Sequence, residues 1–528
     1  MKRKFICILL FSILCNFHGF TQHDKWFKKG LEAKNPIKQI KYFSKSIKKT
    51  GSAYETYFAL GIIKLTLPEY QDAISDFTKA IEINPLFWEA YYNRGFAKFN
   101  LMDYQGAIED YDKTIELDPK YVKAYFNRGL TKFYMHDYQG ALIDYSKVIE
   151  FDPNDVFAYF NRGNTKQKLQ DYHGAIADYN QAIKLNAKES NFYYNRGITK
   201  NFLLDYTGSI ADYTEAILCN PLFANAYYNR GCAKFYINDY YGAIEDFTKA
   251  IELNPKDGLT YLNRGICSYK LENYKEAILD YKKAIEVDIL LAEAYFYTAN
   301  IKIILEAYRE AIADYTIAIE INPDYTLAYF NRAYAKNMLK DYLGAIADYS
   351  KAIELDPKNA NAYNNRGLAK DDLKDYLGAI DDYTKTIELD SNNISAYYNL
   401  SIAYFILKDY KKAIAISLEG LKKDSVNVKL YNNIGYYYME IGDNEKAIEN
   451  FVNCYRIDNN LFDAMLGLSL AYYYKNDVIN AKKYFNDAKQ TEPRLNKGME
   501  GVVEIEKSGY LFSDKKKETL KKMFEEFK

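Results

Sequence analysis

Histidine, tryptophan and cysteine are scarce in this chain of 528 residues, which contains four His, two Trp and six Cys. Beyond the N-terminal segment only His23, His136 and His173 remain, and no pair of them has the spacing of a helical zinc motif. The sequence also lacks a serine nucleophile elbow and a glycine-rich phosphate loop. We therefore expect a protein that is not an enzyme, with no catalytic residue, metal site, cofactor or small-molecule substrate.

Cysteines are also too dispersed for a redox or zinc motif. Two of the six lie in the first 15 residues, and the others are Cys219, Cys232, Cys267 and Cys454. Without close pairs, they are expected to be buried thiols that act as small apolar side chains. A disulfide between Cys232 and Cys267 is the alternative in an oxidising compartment.

The chain also lacks an excess of charge of one sign and long apolar runs. The formal net charge is -1, and no basic cluster occurs outside a short lysine-rich tail. A nucleic-acid partner is therefore not expected, because binding it requires a clustered basic surface. No segment after residue 21 approaches the roughly 18 uninterrupted apolar residues of a membrane-spanning helix, so no transmembrane segment is predicted.

The N-terminus has the pattern of a secretory signal peptide over residues 1–21. Residues 2–4 are Lys, Arg and Lys, residues 5–14 form an apolar stretch, and Gly19 and Thr21 are small residues at the spacing of a signal-peptidase site. We expect cleavage before Gln22 and a protein that is exported, periplasmic or secreted. Lipidation at Cys15 is the alternative, although the residue before it is leucine and not a small one.

Tyrosine, in contrast, is abundant, and it is placed periodically. The chain has 55 Tyr, and twelve of them lie at successive intervals of 34 residues, from Tyr57 to Tyr431. We number the 34 positions of each repeat so that Tyr54 is position 1 of repeat 1 and the tyrosine column is position 4. Glycine occupies position 8 in nine repeats: Gly61, Gly95, Gly129, Gly163, Gly197, Gly231, Gly265, Gly367 and Gly435.

Each repeat has the spacing of two helices. Aromatic or small residues fall at positions 4 and 8, and apolar or small residues again at 20, 24, 27 and 28, which is helical periodicity. A polar turn ending in Asp-Tyr separates the halves, and proline at position 32 ends the second helix. Glycine at position 8 and alanine at position 20 allow helix A and helix B to approach closely. A single pair cannot bury its apolar face, so consecutive pairs must stack.

The segment Ala90–Pro119 reads AYYNRGFAKFNLMDYQGAIEDYDKTIELDP and resembles the tetratricopeptide repeat (TPR) in every signature column. The resemblance implies an all-α fold, a right-handed superhelical solenoid of 34-residue helix-turn-helix repeats. It also implies that the exposed flank of the A helices lines a concave groove where partners bind.

Domain boundaries follow from the register. After the signal peptide, residues 22–53 form a shortened first repeat, residues 54–492 thirteen TPR repeats, and residues 493–528 C-terminal capping helices, the first of them a continuous helix from Leu495 to Lys507. The last helix has Leu520, Met523, Phe524 and Phe527 on one face of a strongly charged segment. A cap on the last repeat is the expected role, and a membrane-surface helix is the alternative.

Two charged columns are unusual. Position 7 is arginine in eight repeats: Arg94, Arg128, Arg162, Arg196, Arg230, Arg264, Arg332 and Arg366. Position 23 is aspartate in ten consecutive repeats, from Asp76 to Asp382. Both columns end near residue 400, which predicts that they pair as partly buried ion pairs between helices. An anion-binding ladder is the alternative, and the pairing could lie within a repeat or between neighbours.

The outward flank of helix A, which we call the A-helix face, comprises positions 2, 5, 9, 12 and 13 with position 6 beside them. It is rich in aromatic rings and turns polar near residue 361, with Asn361, Asn364, Asp371 and Asp372. A long exposed aromatic strip marks an interaction surface, although some rings must pack against the next repeat. The densest patch is expected in repeats 2 and 3, at Tyr92, Phe96, Phe99, Phe126, Phe133 and Tyr134.

Asparagine at position 6 forms a second row, in ten repeats that include Asn127, Asn161, Asn195 and Asn229. An amide offers both a donor and an acceptor, so a spaced row could hold the backbone of an extended peptide. The row resembles the asparagine ladder in the repeat superhelix of O-linked N-acetylglucosamine transferases. The function expected from the sequence is a protein-protein interaction scaffold that binds a partner segment in an aromatic and Asn-lined groove. A structural subunit of a cell-envelope assembly and an accessory subunit of a separately encoded enzyme are the alternatives.

Overall fold

The structure, a computed structural model, describes residues 25–50, 53–507 and 513–527, and every regular element within them is helical. None of the described helices is long and apolar enough to cross a bilayer. The predicted signal peptide lies outside the described residues. The described residues group into two compact bodies, one ending at Asn273 and the other beginning at Tyr274.

Thirteen helix pairs follow the predicted register, with helix A at positions 1–13 and helix B at positions 17–30. The A helices are Tyr54–Thr66, Trp88–Asn100, Val122–Tyr134, Val156–Lys168, Ser190–Phe202, Ala224–Tyr236, Gly258–Lys270, Ala292–Ile304, Thr326–Met338, Ala360–Asp372, Ile394–Ile406, Val428–Glu440 and Phe462–Tyr474. The B helices are Tyr70–Ile83, Tyr104–Leu117, Tyr138–Phe151, Tyr172–Leu185, Tyr206–Cys219, Tyr240–Leu253, Tyr274–Val287, Tyr308–Ile321, Tyr342–Leu355, Tyr376–Leu389, Tyr410–Lys423, Asn444–Ile457 and Val478–Thr491. The all-α repeat fold predicted from the sequence is therefore confirmed.

Close approach of the two helices depends on the glycine at position 8. A Cβ atom added to Gly197 would lie 2.7 Å from the Tyr213 ring, which fills position 24 and is fully buried. Alanine at position 20, such as Ala243, is likewise fully buried. Small residues at two positions thus make room for one large ring, as the sequence pattern predicts.

The turn between the helices has a fixed conformation. Aspartate at position 16 caps helix B, as Asp205 does by accepting a hydrogen bond from the backbone N–H of Gly208 at 2.9 Å. The residue before the aspartate, at position 15, has a positive φ, and it is glycine only in repeat 12, where Gly442 has φ 84°. Elsewhere an L-residue adopts the left-handed conformation, for example Leu204 with φ 60°.

Replacing Leu204 with glycine is therefore expected to stabilise the chain by about 0.5 to 1 kcal/mol. Relief of the left-handed strain outweighs the extra freedom of glycine in the unfolded chain, and Leu204 is 70% exposed, so little packing is lost. Hydrogen exchange in the flanking helices Ser190–Phe202 and Tyr206–Cys219 measures the change. The matched control, Gly442→Ala, should destabilise by a similar amount, and a loss of stability in Leu204→Gly would contradict the assignment of strain.

At the N-terminal end, the helices Lys25–Glu32 and Pro36–Thr50 form a shorter pair. An added Cβ on Gly30 would lie 2.5 Å from the Phe43 ring, the same relation as between Gly61 and Phe77. The shortened first repeat thus uses the same packing rule as the full repeats.

The C-terminal end differs from the prediction of one helix from Leu495 to Lys507. A 3-10 helix over Pro493–Lys497 is followed by an α-helix over Met499–Lys507, so the prediction of a continuous helix was wrong. The break lies at Gly498, whose φ of 67° is incompatible with a right-handed helix. It also lets the backbone at Gly501 approach the Arg494 carbonyl so closely that a Cβ would have no space.

The last helix, Asp514–Glu526, covers repeat 13. Leu520 and Met523 are fully buried in its contact, and Phe524 and Phe527 lie 5.1 Å and 5.8 Å from the Phe485 ring. The apolar side that could have faced a membrane surface is thus occupied by the end of the repeat array, as a cap requires.

Candidate functional site

The arginine and aspartate columns pair within each repeat. Arg94 donates from Nε and Nη2 to the two carboxylate oxygens of Asp110, at 2.9 Å and 2.7 Å, and Asp110 is almost fully buried. The same two-point contact joins the pairs Arg128–Asp144, Arg162–Asp178, Arg196–Asp212, Arg230–Asp246, Arg332–Asp348 and Arg366–Asp382. The predicted pairing is confirmed, and with their carboxylate partners in place these arginines do not form an anion-binding ladder.

Each of these arginines also reaches the preceding repeat. Arg94 donates from Nη1 to the Thr78 hydroxyl at 3.1 Å, and Arg230 donates to the Thr214 hydroxyl at 3.0 Å. The acceptor is always at position 25, where the chain has Thr, Ser, Asp or Asn. In repeat 7 position 25 is Lys282, and the next repeat has Thr298 in place of arginine. Two cations would meet there, so the sequence contained a signal for this contact that the column analysis missed.

The aspartate has a second cation, since Lys98 at position 11 lies 2.8 Å from Asp110. The guanidinium carbon of Arg94 lies 5.5 Å from the centre of the Tyr91 ring at position 4. The charged columns therefore bind the two helices of one repeat to each other and to the repeat before, and they serve stability.

The A-helix face exposes large apolar rings. In repeats 2 to 6 the exposed fractions are 38% for Phe96, 54% for Tyr134, 59% for Phe202 and 64% for Tyr236. Tyr92, Phe99, Phe126 and Phe133 are half-buried. The sequence-predicted patch thus contains two exposed rings and four that support them.

Stacking between repeats explains why several rings are half-buried. The ring at position 13 lies against the tyrosine at position 17 of the preceding repeat, with Tyr206 and Tyr236 at 5.0 Å and Tyr172 and Phe202 at 5.2 Å. Phe99 contacts Tyr134 of the next repeat at 5.7 Å. These rings serve two purposes, since one side of each packs against a neighbour and the other faces outward.

The hydrogen-bond acceptor of each asparagine in the row depends on the residue at position 5 of the preceding repeat. Where that residue is tyrosine, the amide donates to its hydroxyl, as Asn127 does to Tyr92 at 2.9 Å and Asn229 to Tyr194 at 3.1 Å. After a phenylalanine, Asn161 and Asn195 donate to the backbone carbonyl one turn earlier, whereas Asn331 donates to the Asn300 side chain at 2.9 Å. Part of the hydrogen-bonding capacity of these amides is therefore used inside the protein, which the sequence pattern did not indicate.

Tyr92 shows how these contacts fix the surface. Burial raises the pKa of its phenol to about 12, so it stays neutral at physiological pH while it accepts the Asn127 hydrogen bond. Its ring also contacts Tyr121 edge to face at 5.0 Å. A ring held from two sides loses little entropy when a partner covers it.

A hollow of about 280 Å³ lies on this face between repeats 2 and 4. Three of the residues that line it, Tyr92, Phe126 and Asn127, were predicted from the sequence as partner-binding residues. The other four are Val122, Lys123, Asp155 and Phe157. Phe157 is 58% exposed and was missed, although its position 2 belongs to the A-helix face. Four of the seven lining side chains are aromatic or aliphatic, and the charges of Lys123 and Asp155 are opposite in sign, so the hollow suits an apolar anchor.

The described ranges show neither a metal-binding group nor a disulfide. Residues 25–50, 53–507 and 513–527 contain no group of three His, Cys, Asp or Glu that could hold a metal ion. No disulfide links the cysteines that these ranges contain, so the alternative pairing of Cys232 with Cys267 is not formed.

The chain belongs to the tetratricopeptide repeat family, whose members act as protein-interaction scaffolds. Models described as tetratricopeptide repeat or TPR repeat match residues 54–85, 88–121, 122–155, 156–188, 224–257, 259–288, 337–370, 360–393, 382–415 and 428–461. No curated protein sequence matches the chain.

Several solved structures are similar to parts of the chain. The MamA protein is 28% identical, with 33% of this chain and 94% of that chain covered and a TM-score of 0.31. YrrB, described as a TPR protein with an unusual peptide-binding site, is 24% identical, with 34% and 92% covered and a TM-score of 0.31. The C-terminal part of a TPR repeat-containing protein from Cytophaga hutchinsonii is 21% identical, with 46% and 99% covered and a TM-score of 0.41.

Proposed function

We propose that this protein is a non-enzymatic scaffold that binds a segment of a partner protein along its A-helix face. The observation that supports the proposal is the set of apolar rings exposed at successive repeats, with Phe202 and Tyr236 more than half exposed. Exposing such rings to water is unfavourable, and their burial is a main source of binding energy at protein interfaces.

The position of the rings favours a partner segment over a small ligand. Exposed rings occur on this face in each of repeats 2 to 6, at Phe96, Tyr134, Phe157, Phe202 and Tyr236, whereas the hollow between repeats 2 and 4 holds only about 280 Å³. A chain segment that contacts several repeats can place one apolar side chain per repeat. We propose that the hollow lined by Tyr92 and Phe126 receives one of these anchors.

We also propose that residues 1–21 are a signal peptide and that the mature protein is periplasmic or secreted. Mass spectrometry of the native protein should find an N-terminus at Gln22. Intact Met1 would contradict export, and a lipid on Cys15 would replace the soluble exported form with an anchored one.

The binding surface can be distinguished from its main alternative, an outer surface used in a structural assembly of the cell envelope. A partner captured from the native envelope, and identified by mass spectrometry, is added to the full chain, and hydrogen exchange is measured with and without it. Protection should follow the A helices, such as Val122–Tyr134 and Ser190–Phe202. Protection confined to the B helices would contradict the proposal and favour the assembly role.

A further inference from the structure

The helix pair at the N-terminal end, Lys25–Glu32 and Pro36–Thr50, is strongly basic. Residues 25–50 contain nine lysines and one carboxylate, Glu32, and no arginine or histidine. Because the whole chain has a formal net charge of -1, the remainder of the chain is acidic. We call these two helices the basic pair. Its nine lysine side chains are all exposed: Lys25, Lys28, Lys29, Lys34, Lys38, Lys41, Lys45, Lys48 and Lys49.

On the second helix of the basic pair the lysines form one stripe. Their spacing of three, four and three residues places four of them within an arc of about 80° on one side of the helix: Lys38, Lys41, Lys45 and Lys48. The other side holds the buried Phe43, with Ile40 and Ile47 packed against the core of repeat 1. Folding thus gathers lysines that are dispersed in the sequence, and the prediction that no basic cluster occurs outside the C-terminal tail was wrong.

Later repeats neutralise the lysine that corresponds to Lys45. Matching Gly30 to position 8 and Phe43 to position 24 places Lys45 at position 26 and Lys48 at position 29. In seven repeats a lysine at position 26 pairs with a glutamate at position 29, at distances between 2.6 Å and 2.9 Å. In the basic pair Lys48 replaces the glutamate. Two like charges therefore lie three residues apart on one helix, which is unfavourable without an anion.

The arginine and aspartate columns are changed in the same direction. Lys29 occupies position 7, and Tyr42 occupies position 23, which is aspartate in repeats 1 to 10. The place of the buried carboxylate therefore carries no charge, while the place of the arginine remains positive. The basic pair has lost a negative group at two positions and kept the cation at both.

Three ammonium groups surround one indole ring. Nζ of Lys45 lies 4.6 Å from the centre of the Trp26 ring, and Nζ of Lys29 and of Lys49 lie 5.2 Å and 5.9 Å from it. Tyr42 stacks on the same ring at 5.9 Å. Cation–π attraction holds the ammonium groups near the ring but leaves their charge in place. Lysines from both helices are thus gathered at one point of the surface.

Aliphatic side chains are exposed beside these lysines, at the turn that joins the two helices. Ile37 is 73% exposed and Leu31 is 37% exposed, and the exposed Lys34 and Lys38 lie next to them in the chain. A basic helical surface that presents aliphatic and aromatic side chains together is typical of proteins that lie on a membrane surface.

We propose that the basic pair docks on a membrane surface that contains anionic lipids. Lipid phosphates attract the lysines, and the headgroup region accepts Ile37, Leu31 and the indole of Trp26. Nucleic acid fits these observations less well, because its phosphodiester backbone offers no apolar partner to Ile37. The Trp26 ring, surrounded by ammonium groups and Tyr42, is also not free to stack on a base. The basic pair precedes repeat 1, so docking leaves the A-helix face of repeats 2 to 6 open for a partner.

Co-sedimentation of the mature chain, residues 22–528, with lipid vesicles tests the proposal without a contribution from the signal peptide. The chain should bind vesicles of phosphatidylethanolamine and phosphatidylglycerol, and not vesicles of phosphatidylcholine alone. The triple variant Lys38→Gln, Lys41→Gln, Lys48→Gln spares the lysines around Trp26. It should weaken binding at least tenfold, because each lysine near an anionic surface contributes a factor of about five.

The matched control removes three exposed lysines from position 15 of repeats 9 to 11, where repeat 4 has glutamine: Lys340→Gln, Lys374→Gln, Lys408→Gln. It should bind the anionic vesicles as the wild type does. Circular dichroism checks that both triple variants keep their helix content. Ile37→Ser should weaken vesicle binding about tenfold, the lower end for burial of an aliphatic side chain, and should leave binding of a labelled double-stranded DNA unchanged.

Equal binding to both kinds of vesicle, or wild-type affinity in the lysine variant, would overturn the proposal. Equal losses in the lysine variant and its control would reduce the effect to net charge and overturn it as well. Tighter binding to DNA than to anionic vesicles, lost in the lysine variant, would assign the surface to nucleic acid instead. Unchanged vesicle binding in Ile37→Ser would contradict insertion among the headgroups. Each of these outcomes leaves the proposed function of the A-helix face intact.

Discussion

Replacing Arg196 with alanine is expected to lower the free energy of unfolding by about 3 kcal/mol, because it leaves a buried carboxylate with an incomplete set of partners. Asp212 is 2% exposed and receives Nε of Arg196 at 2.9 Å. The variant also loses the contact of Nη1 with Asn180 in the preceding repeat, at 2.6 Å. Lys200 remains 2.8 Å from Asp212, which keeps the effect at the lower end of the range for a broken buried pair.

One repeat of the chain naturally lacks the arginine that the Arg196→Ala variant removes. Repeat 8 has Thr298 at position 7, and Asp314 retains Lys302 at 2.6 Å. Asp314 is more exposed than Asp212, with 16% of its side chain accessible against 3%. The protein thus tolerates a missing arginine where water reaches the carboxylate.

Hydrogen exchange in the helix pair Ser190–Phe202 and Tyr206–Cys219 is the appropriate measurement, since long repeat arrays do not unfold as one unit. Arg309→Ala, which truncates an exposed arginine, is the control and should have little effect. The double variant Arg196→Met, Asp212→Leu should recover most of the loss, because it removes both charges. Unchanged exchange in Arg196→Ala would mean that Asp212 is solvated, and would contradict a structural role for the column.

The second large effect is expected in binding. Replacing Phe96 and Tyr134 with alanine should weaken binding of the partner by at least about 2 kcal/mol, the usual lower bound for an interface hot spot. This corresponds to a roughly 30-fold higher Kd. Both rings are exposed, at 38% and 54%, so their loss acts on the complex more than on the fold. Phe99 and Phe133 are less suitable, because they pack on Tyr104 at 5.6 Å and on Tyr138 at 5.4 Å.

Isothermal titration with the captured partner measures the change, and circular dichroism checks that helix content is retained. Ile143→Ala is the matched control, since Ile143 is 68% exposed but lies on helix B of the repeat that contains Tyr134. A double variant that folds and binds with wild-type affinity would remove the A-helix face at repeats 2 and 3 from the interface. Weaker binding in Ile143→Ala alone would move the interface to the outer surface.

Most of the architecture was determined by the sequence. A period of 34 residues fixes the length of both helices and the turn, because glycine at position 8, alanine at position 20 and a ring at position 24 are compatible only with closely packed helix pairs. The pairing of the arginine and aspartate columns could also be predicted, since both end near residue 400. These features depend on local spacing, and local spacing is what a repeat sequence records directly.

Only the tertiary structure decided which contacts lie within a repeat and which lie between repeats. It placed Asp110 in the same repeat as its arginine and Thr78 in the one before. It divided the asparagine row between tyrosine hydroxyls and backbone carbonyls, and it separated exposed rings from half-buried ones. The helix break at Gly498 and the unpartnered hydroxyl of Tyr383 are two further features that only the tertiary structure shows. Periodicity gives every repeat the same helical face, but the burial and hydrogen bonding of each side chain depend on the particular residue that the neighbouring repeat presents.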